Sequence, residues 1–136
     1  RHVPTYLAGY YKYKAGDQFT EGGKPVNGKR DICDIYAIMY ETSESVPTLD
    51  GTNAFTSPNL ISTARINNAK ETNEWTYFKL PFTTLPGKFI DKEKLMDGKY
   101  NIAIVFTSSL EGDHFNGAIG STLLIDEAEL IYHSED

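Results

Sequence analysis

The sequence holds one cysteine, three histidines and no apolar run long enough to span a bilayer. Each scarcity removes a class of explanation. A lone thiol, Cys33, cannot close an internal disulfide, so the fold must rest on its core. Cys33 lies in the apolar run Ile32–Met39 and reads as a small buried hydrophobe, with no base nominated beside it for nucleophilic work. His2, His114 and His133 show no zinc-ligand spacing with one another or with the cysteine, and there is no Gly-x-Ser-x-Gly elbow. Positive charge is also short: 13 Lys and Arg against 19 Asp and Glu leave a formal net charge of -6. A nucleic acid or an anionic membrane needs a positive field, so neither is an expected partner. The chain opens at Arg1 and shows neither a signal peptide nor a transmembrane segment, so any export signal is expected to have been lost upstream.

Helical periodicity is almost missing as well. Asp91–Asp97 is the one stretch with a helix signature, an aspartate N-cap ahead of a short run that Gly98 ends. What remains is a chain of 136 residues, 40% hydrophobic and 24% charged, which suits one globular domain with a real core. Its extended segments are Thr5–Lys14, Asp31–Thr42, a weaker Leu60–Asn67, Glu74–Phe82, Lys99–Ser109 and Thr122–Tyr132. The polar stretch Ser43–Asn59 separates the second from the third. Strands without intervening helices predict an all-β, antiparallel β-sandwich of jelly-roll type.

Alternation assigns faces. Phe78, Leu80 and Phe82 share one side of their strand, and Trp75, Tyr77 and Lys79 the other. Leu7, Gly9, Tyr11 and Tyr13 oppose Tyr6, Tyr10, Lys12 and Lys14, while Cys33, Ile35, Ala37 and Met39 oppose Ile32, Asp34, Tyr36, Ile38 and Tyr40. Asp31–Thr42 and Lys99–Ser109 are apolar on both faces at their centres, which predicts mid-sheet positions for both.

Catalytic and metal motifs mostly fail. Gly23–Arg30 approaches a phosphate loop, but Arg30 stands where Ser or Thr must hold magnesium and a strand follows instead of a helix; a polar hairpin loop is the better reading. No cofactor is expected. Calcium stays open, with Asp50-Gly51-Thr52-Asn53 and Asp126-Glu127 as oxygen donors that form no recognised loop. Asp126 shares parity with Leu124, Ala128 and Leu130, which points it inward toward backbone N–H groups or a metal. A glycosidase needs two carboxyl groups about 5–10 Å apart, and nothing in the sequence selects a pair. In Gly112–Gly120, Asp113 and Asn116 suit turn caps, Phe115 suits an anchor, and His114 an exposed loop position.

Several of these segments carry a family likeness. Leu7-Ala8-Gly9-Tyr10-Tyr11-Lys12-Tyr13-Lys14-Ala15-Gly16, Ser108-Ser109, Gly112–Ala118, Gly120–Leu123 and Asp126-Glu127-Ala128-Glu129-Leu130 together resemble the "putative carbohydrate metabolism domain" of gut anaerobic bacteria. The resemblance implies a jelly roll similar to carbohydrate-binding modules, in an exported protein of the periplasm or the outer-membrane surface, often a lipoprotein. It implies no catalytic set. Members carry a further segment ahead of the Gly-Tyr-Tyr-Lys-Tyr strand, so residues 1–136 are expected to be the C-terminal part of one jelly-roll domain. Its N-terminal strands would come from an upstream segment of the same protein or from a second chain.

The leading expectation is a non-catalytic carbohydrate-binding module; a glycoside hydrolase and a structural or adhesive surface module are the alternatives. The expected sugar platform is Tyr10, Tyr36, Trp75 and Tyr77, with Lys79 and Asp34 to hydrogen-bond hydroxyls and Asp113, His114 and Asn116 as loop candidates. The nine tyrosines suit such a face, although they also suit any half-buried sheet.

Overall fold

The computed structural model describes residues 3–42, 58–67, 69–109 and 116–132. The fold is an antiparallel β-sandwich. Its strands are β1 (Pro4–Lys14), β2 (Phe19–Glu21), β3 (Lys24–Val26), β4 (Asp34–Glu41), β5 (Leu60–Arg65), β6 (Thr76–Pro81), β7 (Thr83–Thr84), β8 (Tyr100–Thr107), β9 (Asn116–Ala118) and β10 (Thr122–Tyr132). One sheet has the order β10-β1-β6, the second β7-β5-β4-β8, and a small third sheet β3-β2-β9. The helix α1 (Lys92–Met96) falls where the Asp91 signature puts it, with the Asp91 side chain accepting from the Glu93 and Lys94 N–H groups. Among the described residues no helix is long and apolar enough to cross a membrane.

The first two sheets face each other across one core. Leu7, Tyr11 and Tyr13 of β1 and Phe78 and Leu80 of β6 meet Cys33 and, from the opposite sheet, Ile35, Ala37 and Ala64. These are the inward rows that alternation assigns. Burial pushes the Cys33 thiol up to about 11, which keeps it protonated and inert. A second buried cluster, Tyr36, Ile38, Tyr40 and Leu60, lies on the outer face of the β4 sheet. β4 is thus apolar on both faces and central, as its sequence predicts.

Three expectations change. β8 is apolar on both faces, but among the described residues it pairs with β4 alone and so ends its sheet. Residues 24–26 do not stay a loop: β2 and β3 form a hairpin closed by the pair Glu21 and Lys24 around Gly22 and Gly23, both at positive φ (58° and 87°). That is the two-residue turn whose twist matches antiparallel strands, and only glycine takes it without steric cost. Asp126 does not point inward. Ala8 pairs Glu129 and Tyr10 pairs Asp126, so Glu127 and Ala128 together face the single residue Gly9. This bulge, with Glu127 at φ 52°, moves the inward row of β10 from Leu123 and Ile125 to Leu130 and turns Asp126 to solvent. Gly9 makes room for it, because a Cβ there would lie 2.9 Å from Phe78 Cζ and 3.1 Å from Ala128 Cα.

One end of the sandwich is fastened by Asp31, which is only 5% exposed. Its Oδ2 accepts from Ser109 Oγ (2.5 Å), Ser121 Oγ (2.6 Å) and the Ala118 N–H (3.0 Å), and its Oδ1 from the Ile32 N–H (2.9 Å). Ser121 Oγ also accepts from the Gly16 N–H, and the Tyr13 hydroxyl donates to the Ser108 carbonyl at 2.6 Å. The carboxylate therefore joins the lead-in to β4, the segment after β8, β9 and the start of β10. Such an acceptor costs solvation, and four donors offset that cost.

Asp31→Ala would strand these donors in a dry site. We expect a loss of about 3–5 kcal/mol in chemical denaturation; a loss below about 1 kcal/mol would show that the node holds nothing. Tyr13 gives a second test. Burial, helped by nearby Asp31, pushes its hydroxyl up to about 12. The folded state holds the neutral form, so this contribution is whole below the unfolded value of about 10 and is lost as pH rises toward 12. Stability should fall over that window, and less steeply in Tyr13→Phe.

Candidate functional site

The outer face of the β10-β1-β6 sheet gathers aromatic side chains, Trp75 and Tyr77 exposed and Tyr6 and Tyr10 half-buried over a buried Ala8. Alternation turns Tyr6, Ala8, Tyr10 and Lys12 of β1 outward, and Trp75, Tyr77 and Lys79 in and just before β6 do the same. Antiparallel pairing puts Tyr10 beside Tyr77, Ala8 beside Lys79 and Tyr6 beside Pro81. The Tyr10 and Tyr77 ring centroids lie 5.2 Å apart at a tilt of 58°. Lys12 Nζ sits 4.8 Å over the Trp75 ring, and Lys79 Nζ sits 4.4 Å over the Tyr6 ring. Trp75 is 44% and Tyr77 52% exposed.

The third strand of the face brings carboxylates. Asp126 stands opposite Tyr10, Glu129 opposite Ala8, and Leu124 opposite Lys12, all three exposed. Across the strands the surface therefore runs from carboxylates on β10, over Tyr10, to Tyr77 and the lysine-covered rings. Ring faces carry negative quadrupoles that attract polarised C–H groups, while ammonium and carboxylate groups serve hydroxyls as donors and acceptors.

Tyr10, Trp75, Tyr77 and Lys79 thus come together as expected. Tyr36 and Asp34 do not join them. Both are only 4% exposed and belong to β4 in the other sheet. Asp34 is paired with Arg65, Oδ2 to Nη2 at 2.7 Å and Oδ1 to Nε at 3.2 Å, and the Arg65 guanidinium lies 5.6 Å from the Tyr36 ring. Parity tells which residues of one strand share a face, but not which sheet the strand enters. Asp113, His114, Asp50 and Asn53 lie outside the described residues. Asn116 is described only through its backbone pairing with Glu21. Tyr6, Lys12, Asp126 and Glu129 extend the face beyond the expected set. Tyr6 and Lys12 share the parity of Tyr10 and were legible on that ground, whereas the bulge hid Asp126.

Asp126 Oδ1 accepts from the Glu127 N–H, so a backbone donor serves it. Among the described residues no three His, Cys, Asp or Glu side chains converge on a point that could hold a metal. A shallow cleft of about 270 Å³ elsewhere is lined by Glu41, Asp91, Lys94, Phe89 and Tyr100 among others. Its carboxylates are already engaged, Glu41 with Lys94 Nζ at 2.7 Å and Asp91 with the first turn of α1.

Comparison with known proteins agrees with this architecture. The family model of the putative carbohydrate metabolism domain matches residues 1–131. No curated protein matches. A crystal structure of a putative glycoside hydrolase from Bacteroides thetaiotaomicron VPI-5482 is similar at 88% identity and a TM-score of 0.96, covering 98% of this chain and 39% of that one. Another, of a putative glycoside hydrolase from Bacteroides vulgatus ATCC 8482, is similar at 46% identity and a TM-score of 0.89, covering 97% of this chain and 53% of that one. The chain therefore spans between about two fifths and about half of the length of these relatives.

The single tryptophan makes the face visible to spectroscopy. Trp75 should emit at the red end of the protein range and be quenched readily by acrylamide. Lys12→Ala should alter that quenching while costing no more than about 1 kcal/mol of stability. Blue-shifted, unquenched emission would mean that the face is covered.

Proposed function

We propose that this chain, which belongs to the putative carbohydrate metabolism domain family, is a non-catalytic glycan-binding module of an exported protein. One observation carries the reading: exposed Trp75 and Tyr77 and half-buried Tyr10 and Tyr6 form an aromatic strip on an antiparallel sheet, with lysines over two of its rings and carboxylates along its β10 side. A pyranose offers a C–H-rich face to the rings and equatorial hydroxyls to the charged groups around them. Because sheet pairing fixes the rings beforehand, little side-chain freedom is lost on binding. The open shape suits a stretch of polysaccharide better than an enclosed small molecule. A periplasmic or outer-membrane surface location follows from the ligand, since polymeric glycans are met there.

A glycoside hydrolase is the second reading, favoured by the names of the two solved relatives. Hydrolysis asks for two carboxyl groups on either side of the bond, about 5–10 Å apart. On this face Asp126 and Glu129 both lie on β10, and the flank across β1 carries Lys79. That arrangement serves binding better than acid–base work.

A glycan array followed by titration calorimetry tests the proposal. Trp75→Ala and Tyr77→Ala should each weaken the best ligand at least about tenfold, close to 1.4 kcal/mol, with thermal midpoints nearly unchanged. Tyr36→Phe should leave affinity intact. Full affinity in Trp75→Ala would overturn the platform, and new reducing ends released from the bound polysaccharide would favour the hydrolase.

A further inference from the structure

The aromatic strip carries charge of opposite sign on its two flanks. Its acids, Asp126 and Glu129, stand on β10, opposite Tyr10 and Ala8. Its cations stand over rings on the other flank, Lys12 Nζ 4.8 Å from the Trp75 centroid and Lys79 Nζ 4.4 Å from that of Tyr6. The two sets do not neutralise each other. Among the described residues the ion pairs take Lys29, Arg30, Arg65 and Lys94, whereas the partner of Lys12 and of Lys79 is a ring. Asp126 accepts from the Glu127 N–H. On β10 Leu124 stands opposite Lys12, and Thr122 opposite Lys14, which ends the outward row of β1; the Trp75 end of the strip therefore meets no acid on that strand. Glu71, near Lys14, is bound by Arg30 Nη2 at 2.7 Å and by the Ala15 N–H.

A ring face attracts an ammonium through its quadrupole and leaves it N–H donors for a ligand. The same contact holds the ammonium beside the stacking surface, so little further side-chain freedom is lost when a ligand pairs with it. A pyranose stacked on Trp75 or Tyr6 brings its ring substituents to that ammonium. A hydroxyl there makes an ordinary acceptor, whereas a carboxylate or a sulfate ester makes a charge-assisted bond about twice as strong.

We infer that the glycan is acidic, a polysaccharide bearing carboxylate or sulfate-ester groups that Lys12 beside Trp75 and Lys79 beside Tyr6 select; this narrows the glycan-binding reading, on which it rests. Lys12 and Tyr6 lie about 20 Å apart at the rise of an extended strand, so the anionic groups must recur along several sugar units. Asp126 and Glu129 repel such a chain from β10, which turns its acidic edge toward β1 and β6 and its hydroxyls toward β10. The formal net charge of -6 opposes a polyanion at a distance, but salt screens exposed charges beyond about 10 Å. A nucleic acid needs many phosphate contacts, whereas a stacked glycan needs only a few contact pairs.

The test sets each acidic glycan of an array beside its neutralised form, uronates beside their methyl esters and sulfated glycans beside their desulfated forms. The tightest pair is then titrated into the natural polypeptide that contains these residues. Neutralisation should weaken binding at least about tenfold, and added salt should weaken the acidic form far more than the neutral one. Whichever neutralisation does so identifies the group as carboxylate or sulfate. Lys12→Met, which keeps an apolar stem beside Trp75, and Lys79→Met should each shrink the difference between the two forms, and Lys12→Arg should keep it. Lys24→Met, the same change of charge on β3 away from the face, should leave it intact. A neutral glycan as the tightest ligand, a pair bound equally well, or an undiminished difference in either methionine variant would overturn the inference. If Trp75→Ala still weakened binding in those cases, the aromatic platform would stand without the acidic preference. Binding of no glycan at all would overturn both.

Discussion

The buried carboxylate of Asp31 is the constraint on which the rest of the architecture turns. A sandwich without a disulfide must align two sheets by side-chain contacts, and apolar contacts alone leave the strand ends free to slide. Asp31 removes that freedom with four directional bonds, reaching Ser109, Ala118, Ser121 and Ile32 from one point. The ends of β8, β9 and β10 are thereby held against the lead-in to β4. The Ser121 hydroxyl, bonded to both Asp31 and the Gly16 N–H, extends the hold to the segment leaving β1. Once the ends are fixed, the alternation along β1 and β10 decides which side chains face out.

The aromatic face is a consequence of that alignment together with one irregularity. A regular β10 would have sent Asp126 inward with Leu130. The bulge at Glu127 and Ala128, accommodated by Gly9, lets the two lie on opposite faces and brings a carboxylate beside Tyr10. The same glycine lets Phe78 fill the core behind the face. Core packing and surface chemistry thus meet at one residue.

Much of this was legible in the sequence because it rests on period-two patterns. The six longer strands, the helix after Asp91, the central place of β4 and the burial of Cys33 all follow from runs long enough to show alternation or a cap. β2, β3, β7 and β9 span only two or three residues and carry no measurable period. Parity correctly grouped Tyr10 with Lys12, and Trp75 with Tyr77 and Lys79. It could not reveal that Tyr36 and Asp34 belong to the other sheet, since sheet membership is set by long-range pairing. Asp31 gave no local sign at all, because its partners lie 78 to 90 residues away in sequence, apart from the adjacent Ile32 N–H. The pattern of β8 pointed to a sheet interior, whereas among the described residues it pairs with β4 alone.

Glycan binding on the β1 and β6 face is tested most directly by mapping backbone amide shifts in an isotope-labelled sample, titrated with the tightest-binding oligosaccharide. Shifts should concentrate on Tyr6, Tyr10 and Lys12, on Trp75, Tyr77 and Lys79, and on the neighbouring stretch of β10 around Asp126, with the Trp75 indole N–H among the largest. Perturbations centred instead on Phe89, Tyr100 and Glu41, with the Trp75 indole unmoved, would contradict the assignment.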